Sequence, residues 1–253
     1  MKILLEKELK ANWRSFRYPA FLLVILFFAL LDPLMLKYMN EILGYFATGI
    51  EIIMPNPTPQ DAYFSYLSDV SQIGIFVLIF AIMGIVAREK ETGVTGWLLS
   101  KPISRWQYLF AKLIILYGVV ITGIFACSSL AYLYTTSLIG QPPLAESALA
   151  TVNLVIFTLF IATLTFALST VLKSPLQAGG ITLLFFFVSG MFNLLVANSA
   201  AANYYPNTLL SQMKPLLDGT ATAADSAGPL AASVFLITML VILSGVRFSR
   251  MEF

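Results

Sequence analysis

Six apolar blocks, most of them close to 20 residues long, alternate with polar connections along the chain. They cover approximately residues 18–36, 69–87, 109–134, 152–172, 177–196 and 229–246. A helix of about 20 apolar residues crosses a hydrocarbon core about 30 Å thick and satisfies its own backbone hydrogen bonds there. Only 11% of the residues are charged, against about 25% in soluble proteins. The pattern predicts an all-α polytopic membrane protein, a single transmembrane domain with six transmembrane helices.

The basic residues predict which side of the membrane each connection faces. Six spans place both termini on one side, and Lys and Arg are enriched in cytoplasmic loops. With both termini in the cytoplasm, 13 of the 15 basic residues lie inside and only Lys37 and Lys214 lie outside. We therefore predict a multi-pass protein of the cell membrane with cytoplasmic N and C termini. The outer segments are then residues 39–68 and 198–228.

Two segments outside the spans have patterns of their own. Residues 1–17 mix apolar and basic side chains, which is typical of an amphipathic helix in the inner interface; a basic anchor without a further role is an equal alternative. The outer segment 198–228 is polar but retains Leu209, Leu210, Leu216 and Leu217. These leucines are consistent with a short re-entrant pair of helices, and a plain surface loop is the alternative.

The composition excludes several classes of function. The chain has no histidine and a single cysteine, Cys127, which excludes histidine-dependent hydrolysis, His-ligated zinc and multi-cysteine metal clusters. It has no Gly-x-x-x-x-Gly-Lys-Ser/Thr sequence with which to bind ATP. Carboxylates are nearly absent from the apolar blocks, Asp32 excepted, which disfavours ion-coupled transport. We expect no catalytic residue, cofactor or metal in this chain, and a net charge of only +2 disfavours binding to nucleic acid.

The polar connection between the second and third spans, residues 88–108, is the most informative. Charges of both signs come first, and a glycine-punctuated segment then carries four apolar residues, roughly on one face of a short helix: Val94, Trp97, Leu98 and Leu99. Ser104 is a candidate N-cap for the next span. An apolar turn between charged flanks at the membrane surface is typical of a docking site for a soluble partner. The alternative is an ordinary mixed-charge loop that caps two spans.

The order of residues in this loop has a counterpart in a known family. Glu89, Gly93, Leu98-Leu99-Ser100, Pro102-Ile103-Ser104-Arg105 and Lys112 follow one another. This order resembles the signature loop of ABC-2-type transporter permeases: Glu-x-x-x-Gly-Thr, a Leu-Leu-Ser or similar, Pro-Ile/Val-Ser-Arg and a lysine early in the next helix. Val94 stands where the family usually has threonine. The six spans, the amphipathic N terminus and the longer outer segment before the last span extend the resemblance over the chain.

The resemblance implies a permease subunit that depends on a separate ATPase. In the family, two permease subunits pair with two ATPase subunits that bind ATP and Mg²⁺, and a coupling helix, here about residues 92–100, rests on the ATPase. We therefore expect a homodimer in the lipid bilayer whose helices tilt when the ATPase dimer closes. The residues expected at the coupling loop are Glu89, Glu91, Thr92, Gly93, Val94, Trp97, Leu98, Leu99, Pro102, Ser104 and Arg105.

Small residues on one face of the fourth span indicate either close helix packing or a substrate path. They are Thr151, Thr158, Ala162, Thr165 and Ser169. By the resemblance, the fifth span lies near the central path, which makes Phe186 and Asn193 path candidates; contact with lipid is the alternative for both. We expect export of amphipathic, lipid-like or peptide cargo. A membrane anchor or sensor subunit, and a secondary transporter, are the rival functions.

Overall fold

The computed structural model describes residues 2–39, 41–42, 57–100, 103–196 and 199–251. Six helices among these residues are long and apolar enough to cross a membrane, which confirms the predicted all-α, six-span architecture. Residues 43–56 of the first predicted outer segment lie outside the described residues. The six helices are Arg17–Lys37, Pro59–Glu91, Arg105–Leu138, Leu144–Val171, Pro175–Asn193 and Ala223–Ser249.

The second and third spans are longer than their apolar blocks, because residues beyond the blocks continue the helices at both ends. The elements follow in this order: α1 (Lys2–Arg14); α2 (Arg17–Lys37); the second span, formed by α3 (Pro59–Asp69), a π-helical turn (Val70–Gly74), α4 (Ile75–Ile82) and α5 (Ala87–Glu91); α6 (Val94–Leu99); α7 (Arg105–Leu138); α8 (Leu144–Val171); α9 (Pro175–Val196); a 3-10 turn (Ala200–Tyr204); α10 (Thr208–Ser211); α11 (Met213–Leu217); and α12 (Ala223–Ser249).

Side-chain caps fix where the third and sixth spans begin. Ser104 Oγ accepts a hydrogen bond from the backbone N–H of Gln107 at 3.1 Å, and the Gln107 side chain accepts one from the Ser104 N–H at 3.2 Å. This reciprocal capping box confirms Ser104 as the N-cap of α7. At the start of α12, the N–H of Thr222 donates a hydrogen bond to the Asp225 side chain at 2.8 Å. Each cap satisfies N–H groups that have no partner within the helix.

The fourth span, α8, is the centre of the bundle. It packs against α4, α7, α9, α11 and α12. Of its most apolar stretch 78% is buried within the chain, against 22% for the fifth and sixth spans. Thr158 and Thr165 donate hydrogen bonds to carbonyl oxygens of their own helix at 2.7 and 2.8 Å. This burial is what close helix packing predicts, and it extends to every member of the small-residue face: Thr151, Thr158, Ala162, Thr165 and Ser169.

The described part of the segment before the last span folds into short helices that pack on the bundle. Leu209, Leu216 and Leu217 are buried, and α11 packs against α3 and α8. Lys214 forms ion pairs with Asp61 of α3 and, at 3.2 Å, with Asp218. Burial alone would lower the pKa of Lys214, but the hydrogen bonds to the two carboxylates outweigh it and raise the pKa. The leucines therefore mark packing, and the segment is not a plain surface loop.

Ser169 joins the central helix to the second span at a point where the second span is not helical. Residues 83–86 form turns, so the backbone N–H groups that follow need another acceptor. Ser169 Oγ accepts hydrogen bonds from the N–H of Val86 at 3.2 Å and from the N–H of Ala87 at 3.0 Å. This one hydroxyl therefore fixes where α5 starts.

We predict that Ser169→Ala destabilises the fold. The substitution leaves two buried N–H groups without an acceptor, and one such group costs about 1–3 kcal/mol. Thermal unfolding of the purified protein in detergent should show a lower midpoint for Ser169→Ala. Ser129→Ala is the control, because Ser129 is exposed and bonds to a carbonyl of its own helix. Equal midpoints for the two variants would show that Ser169 does not hold the junction.

Candidate functional site

Helix α1 and residues 247–251 meet the loop between the second and third spans on one face of the bundle. We call this the termini face and define it by α1, residues 83–100, residues 103–108, residues 172–174 and residues 247–251. Arg105 ties the loop to the C-terminal end, because its Nη1 donates to the carbonyl oxygens of Ser249 at 2.7 Å and of Met251 at 2.6 Å. A cation at this position also opposes the negative end of the α12 dipole.

A buried cluster of charged side chains connects α1, α5 and α7. Lys112 is 1% exposed, and its Nζ lies 2.8 Å from Glu8 Oε2 and 3.0 Å from Glu89 Oε1. The partly exposed Lys7 lies 3.3 Å from Glu8 and 3.8 Å from Glu89. Tyr108 donates a 2.5 Å hydrogen bond to Glu89 Oε2. Two carboxylates therefore share two lysines, and both oxygens of Glu89 are engaged.

The same cluster reaches the sixth span through an aromatic ring. The Tyr108 ring stacks on Phe248 of α12, with ring centroids 5.6 Å apart and an interplanar angle of 10°. Lys112 Nζ lies 5.0 Å from the centre of the Tyr108 ring, a favourable cation–π distance. The cluster therefore holds together α1 and the ends of the second, third and sixth spans.

Lys90 attaches α5 to the end of the central helix. Its Nζ donates hydrogen bonds to the carbonyl oxygens of Thr170 and Leu172, both at 2.6 Å. Thr170 lies in the last turn of α8 and Leu172 is its C-cap, where backbone acceptors have no partner within the helix. A lysine at this point satisfies two of them and opposes the negative end of the helix dipole. The base of the loop is thus bonded to α8 as well as to α7 and α12.

Gly93 reverses the chain between α5 and α6. It has a positive φ of 74°, and a Cβ built on it would meet nothing within 4 Å. Space is therefore available for a side chain, and the left-handed backbone is what favours glycine at this position.

The apolar residues of α6 do not share one face, unlike the sequence-based expectation. Thr95 is buried, and Leu98 is only 6% exposed and packs in the hydrophobic core, whereas Trp97 is 64% exposed and Val94 is also exposed. Residues 95 and 98 are three positions apart and therefore lie on the same side of the helix. That side faces the bundle, so Leu98 anchors α6 rather than extending its outer surface.

The other predicted loop residues have distinct surroundings. Glu89 lies in the charged cluster, Ser104 caps α7 and Arg105 binds the C-terminal carbonyls. Leu99 ends α6, and Pro102 lies outside the described residues. We call the predicted loop residues that are exposed the loop ridge: Glu91, Thr92, Gly93, Val94 and Trp97.

Sequence reasoning did not assign Glu8 to this site. Leu4, Glu8 and Asn12 are all buried, although they lie on an amphipathic helix next to exposed basic residues. Their spacing of four places them on one face of α1. Glu8 follows Leu4 by four residues and therefore lies on the same face of α1 as this leucine. That position could have identified Glu8 as a buried partner for Lys112.

The predicted path residues do not come together. Phe186 is half-buried, lies 6.4 Å from Phe157 between ring centroids, and lines an open groove of about 560 Å³ whose wall includes Gln72, Ile73 and Gly190. Asn193 is half-buried and is not among the residues that line the groove. The other predicted path residues lie in the packing of α8: Thr158, Thr165 and Ser169.

Removal of the central lysine should weaken the termini face strongly. Lys112→Met leaves the buried carboxylate of Glu8 without its main partner, and breaking a buried ion pair in this way costs about 3–5 kcal/mol. We expect a large fall in the thermal unfolding midpoint in detergent. The exposed Lys173→Met should have little effect, and adding Glu8→Gln to Lys112→Met should restore part of the loss. A small effect of Lys112→Met, equal to that of Lys173→Met, would contradict this.

Comparisons with known proteins agree with this architecture. The sequence model of the family described as ABC-2 family transporter protein matches residues 29–217. The uncharacterized transmembrane protein YxlG of Bacillus subtilis (strain 168) is 27% identical over 259 residues, which cover 100% of this chain and 98% of YxlG. The family match covers most of the chain, including the loop, the second to fifth spans and the end of the first. The chain therefore belongs to the ABC-2 transporter family and is a multi-pass, non-catalytic membrane subunit of an ABC transporter.

Proposed function

We propose that this subunit couples to a separate ABC ATPase through the loop ridge and exports an amphipathic, lipid-like or peptide cargo. The observation that carries the proposal is the contrast between the two sides of α6. Trp97 and Val94 face outward next to the exposed Glu91, whereas Leu98 is packed in the core. Exposed aromatic side chains are typical anchors at protein interfaces. The ridge thus offers a soluble partner an apolar surface with a charged edge.

The attachment of the ridge supports a coupling role. A loop that transmits movement must be bonded to the helices that it moves. Glu89 bonds to Lys112 and Tyr108 of α7, Lys90 bonds to the end of α8, and Arg105 bonds to the end of α12. A force applied by a partner at Trp97 would therefore reach the third, fourth and sixth spans. This fits alternating access driven by rigid-body movement of packed helices.

In this proposal ATP and Mg²⁺ are bound by the partner. The chain has no P-loop sequence, and phosphate binding of that type needs a glycine-rich loop with a lysine. The partner ATPase meets the subunit in the compartment that contains ATP, so the termini face is assigned to the cytoplasm. The basic residues support the same assignment, because 13 of 15 lie on that side.

The apolar surfaces support the proposed cargo class and a homodimer. The groove of about 560 Å³ is lined mainly by apolar side chains, with Ser71, Gln72 and Asn207 as its polar members, which suits an acyl chain or an apolar peptide side chain. The fifth span is mostly uncovered within the chain, and Leu184, Met191 and Leu195 are strongly exposed. A second copy of the chain would cover part of this surface, and lipid would cover the rest.

Recovery of the partner from native cells tests the proposed coupling. We expect the tagged protein, purified in mild detergent, to carry a P-loop ATPase at close to 1:1, about one ATPase chain per permease chain. Glu91→Lys with Trp97→Ala should reduce that recovery at least about tenfold, since interface aromatics commonly contribute more than about 1.4 kcal/mol.

The control for this experiment is Phe235→Ala. Phe235 is an equally exposed aromatic residue, 68% exposed, but it lies on α12 away from the loop. It should leave ATPase recovery unchanged. Leu98 is unsuitable as a probe, because its substitution would also disturb the core. If the wild-type protein is intact and carries no ATPase, the anchor or secondary-transporter function would be favoured.

Reporter fusions test the proposed orientation. Green fluorescent protein fused after Phe253 should fluoresce, and alkaline phosphatase at the same point should be inactive, because the first folds in the cytoplasm and the second is active only outside it. The two reporters fused after Asp218, between α11 and α12, should give the opposite result. An active phosphatase at the C terminus would reverse the assignment of the two faces.

A further inference from the structure

A second groove lies on the termini face, beside the loop ridge. It has a volume of about 480 Å³ and runs between the start of α2, the end of the second span and the start of α9. Arg17 and Arg88 line one part of it, and Phe80 and Leu176 line the other. We infer that this groove binds one anionic phospholipid, with the phosphate between the two guanidinium groups and an acyl chain along Phe80 and Leu176.

Arg17 and Arg88 place two positive charges near each other, and Glu89 and Glu8 offset the charge of Arg17 only from beyond ion-pair distance. Arg17 Nη1 donates to Asn12 Oδ1 at 3.3 Å, and Asn12 in turn donates to the backbone carbonyl oxygen of Glu8 at 2.9 Å. Arg17 and Arg88 are close enough for their charges to repel. Among the ion pairs of the described residues, none contains either arginine. A bound anion would relieve this repulsion.

Two of the three nearby carboxylates are already engaged. Glu8 and Glu89 lie on the adjoining polar side, where Lys112 and Lys7 hold them. Glu91 lines the groove itself and is exposed. Its charge opposes a doubly charged phosphate more strongly than a phosphodiester with a single charge. The electrostatics therefore favour the phosphodiester of a lipid over free phosphate.

The position of the arginines places the site at headgroup depth. Arg17 begins the first span and Arg88 lies at the end of the second, so both belong to the same side of the membrane. Between α1 and α2, Phe16 adopts a left-handed conformation with φ 59°, and Trp13 and Phe16 are exposed. A tryptophan at the end of a span is typical of the interface. Basic pockets between transmembrane helices at this depth bind anionic headgroups.

The apolar part of the groove distinguishes a lipid from a small anion. Phe80 is 44% exposed and Leu176 is 70% exposed, and both border the same cavity as the arginines. Gly84 also lines the groove, and a Cβ there would only reach ordinary contact distance from Arg88 and Pro175, 3.5 Å in each case. The groove is thus continuous from the charged end to the apolar end.

Native mass spectrometry after detergent exchange tests this inference on the full chain without its partners. We expect the wild-type protein to retain phosphatidylglycerol at least about fivefold better than phosphatidylcholine with the same acyl chains. Arg17→Gln with Arg88→Gln should lower phosphatidylglycerol retention to the phosphatidylcholine level. Arg14→Gln is the matched control, because Arg14 is exposed three residues before Arg17 and does not line the groove.

Several outcomes would overturn the inference. Equal retention of the two lipids by the wild-type protein would do so, whatever the folding of the variants. An equal loss for Arg14→Gln would indicate diffuse attraction to positive charge instead of a site. Displacement of the lipid by millimolar inorganic phosphate would assign the groove to a free anion. Because no ATPase is present, the result is independent of the proposed coupling.

Discussion

The ion pairs of Lys112 are the interaction on which the termini face depends. A lysine that is 1% exposed can keep its charge only if anionic partners replace the water that it has lost. Glu8 comes from α1 and Glu89 comes from α5, so the pairing requires three separate elements to meet at one point. The hydrophobic core beneath this point then determines how α6 and the last turn of α12 can pack. The need to pair the charge of Lys112 therefore specifies how α1, α5 and α7 are arranged. Apolar packing alone would leave this arrangement less defined.

The termini face combines this rigid base with a second span that is locally irregular. The π-helical turn at Val70–Gly74 and the turns at residues 83–86 lie on either side of α4. Such interruptions are where a helix changes direction, and π-helical turns often occur at functional sites. Below the second interruption, Ser169 and Lys90 bond α5 to α8. If the loop moves together with the ends of α7 and α8, we expect the second span to bend at these two interruptions.

Local patterns in the sequence were sufficient to predict the spans and the cap of α7, because both depend on residues a few positions apart. The apolar blocks predict the helices, and Ser104 caps α7 by accepting a hydrogen bond from the N–H of Gln107, three residues later. The pairing of Glu8 with Lys112 joins residues 104 positions apart, so no local pattern contains it. The same holds for α6: Leu98 and Trp97 are both apolar, and only the packing of the whole bundle determines that the first is buried and the second exposed.

The two surfaces proposed for ligands meet on α5. Arg88 lines the lipid groove, and Glu91 both lines that groove and belongs to the loop ridge. Between these two residues, Glu89 bonds α5 to α7 and Lys90 bonds it to α8. A helix of five residues bonded in this way moves as a unit. A lipid phosphate at Arg88 and an ATPase at the ridge would then favour or oppose the same position of α5. If bound lipid changes the affinity for the ATPase by some factor, thermodynamic linkage requires that bound ATPase changes the affinity for the lipid by the same factor.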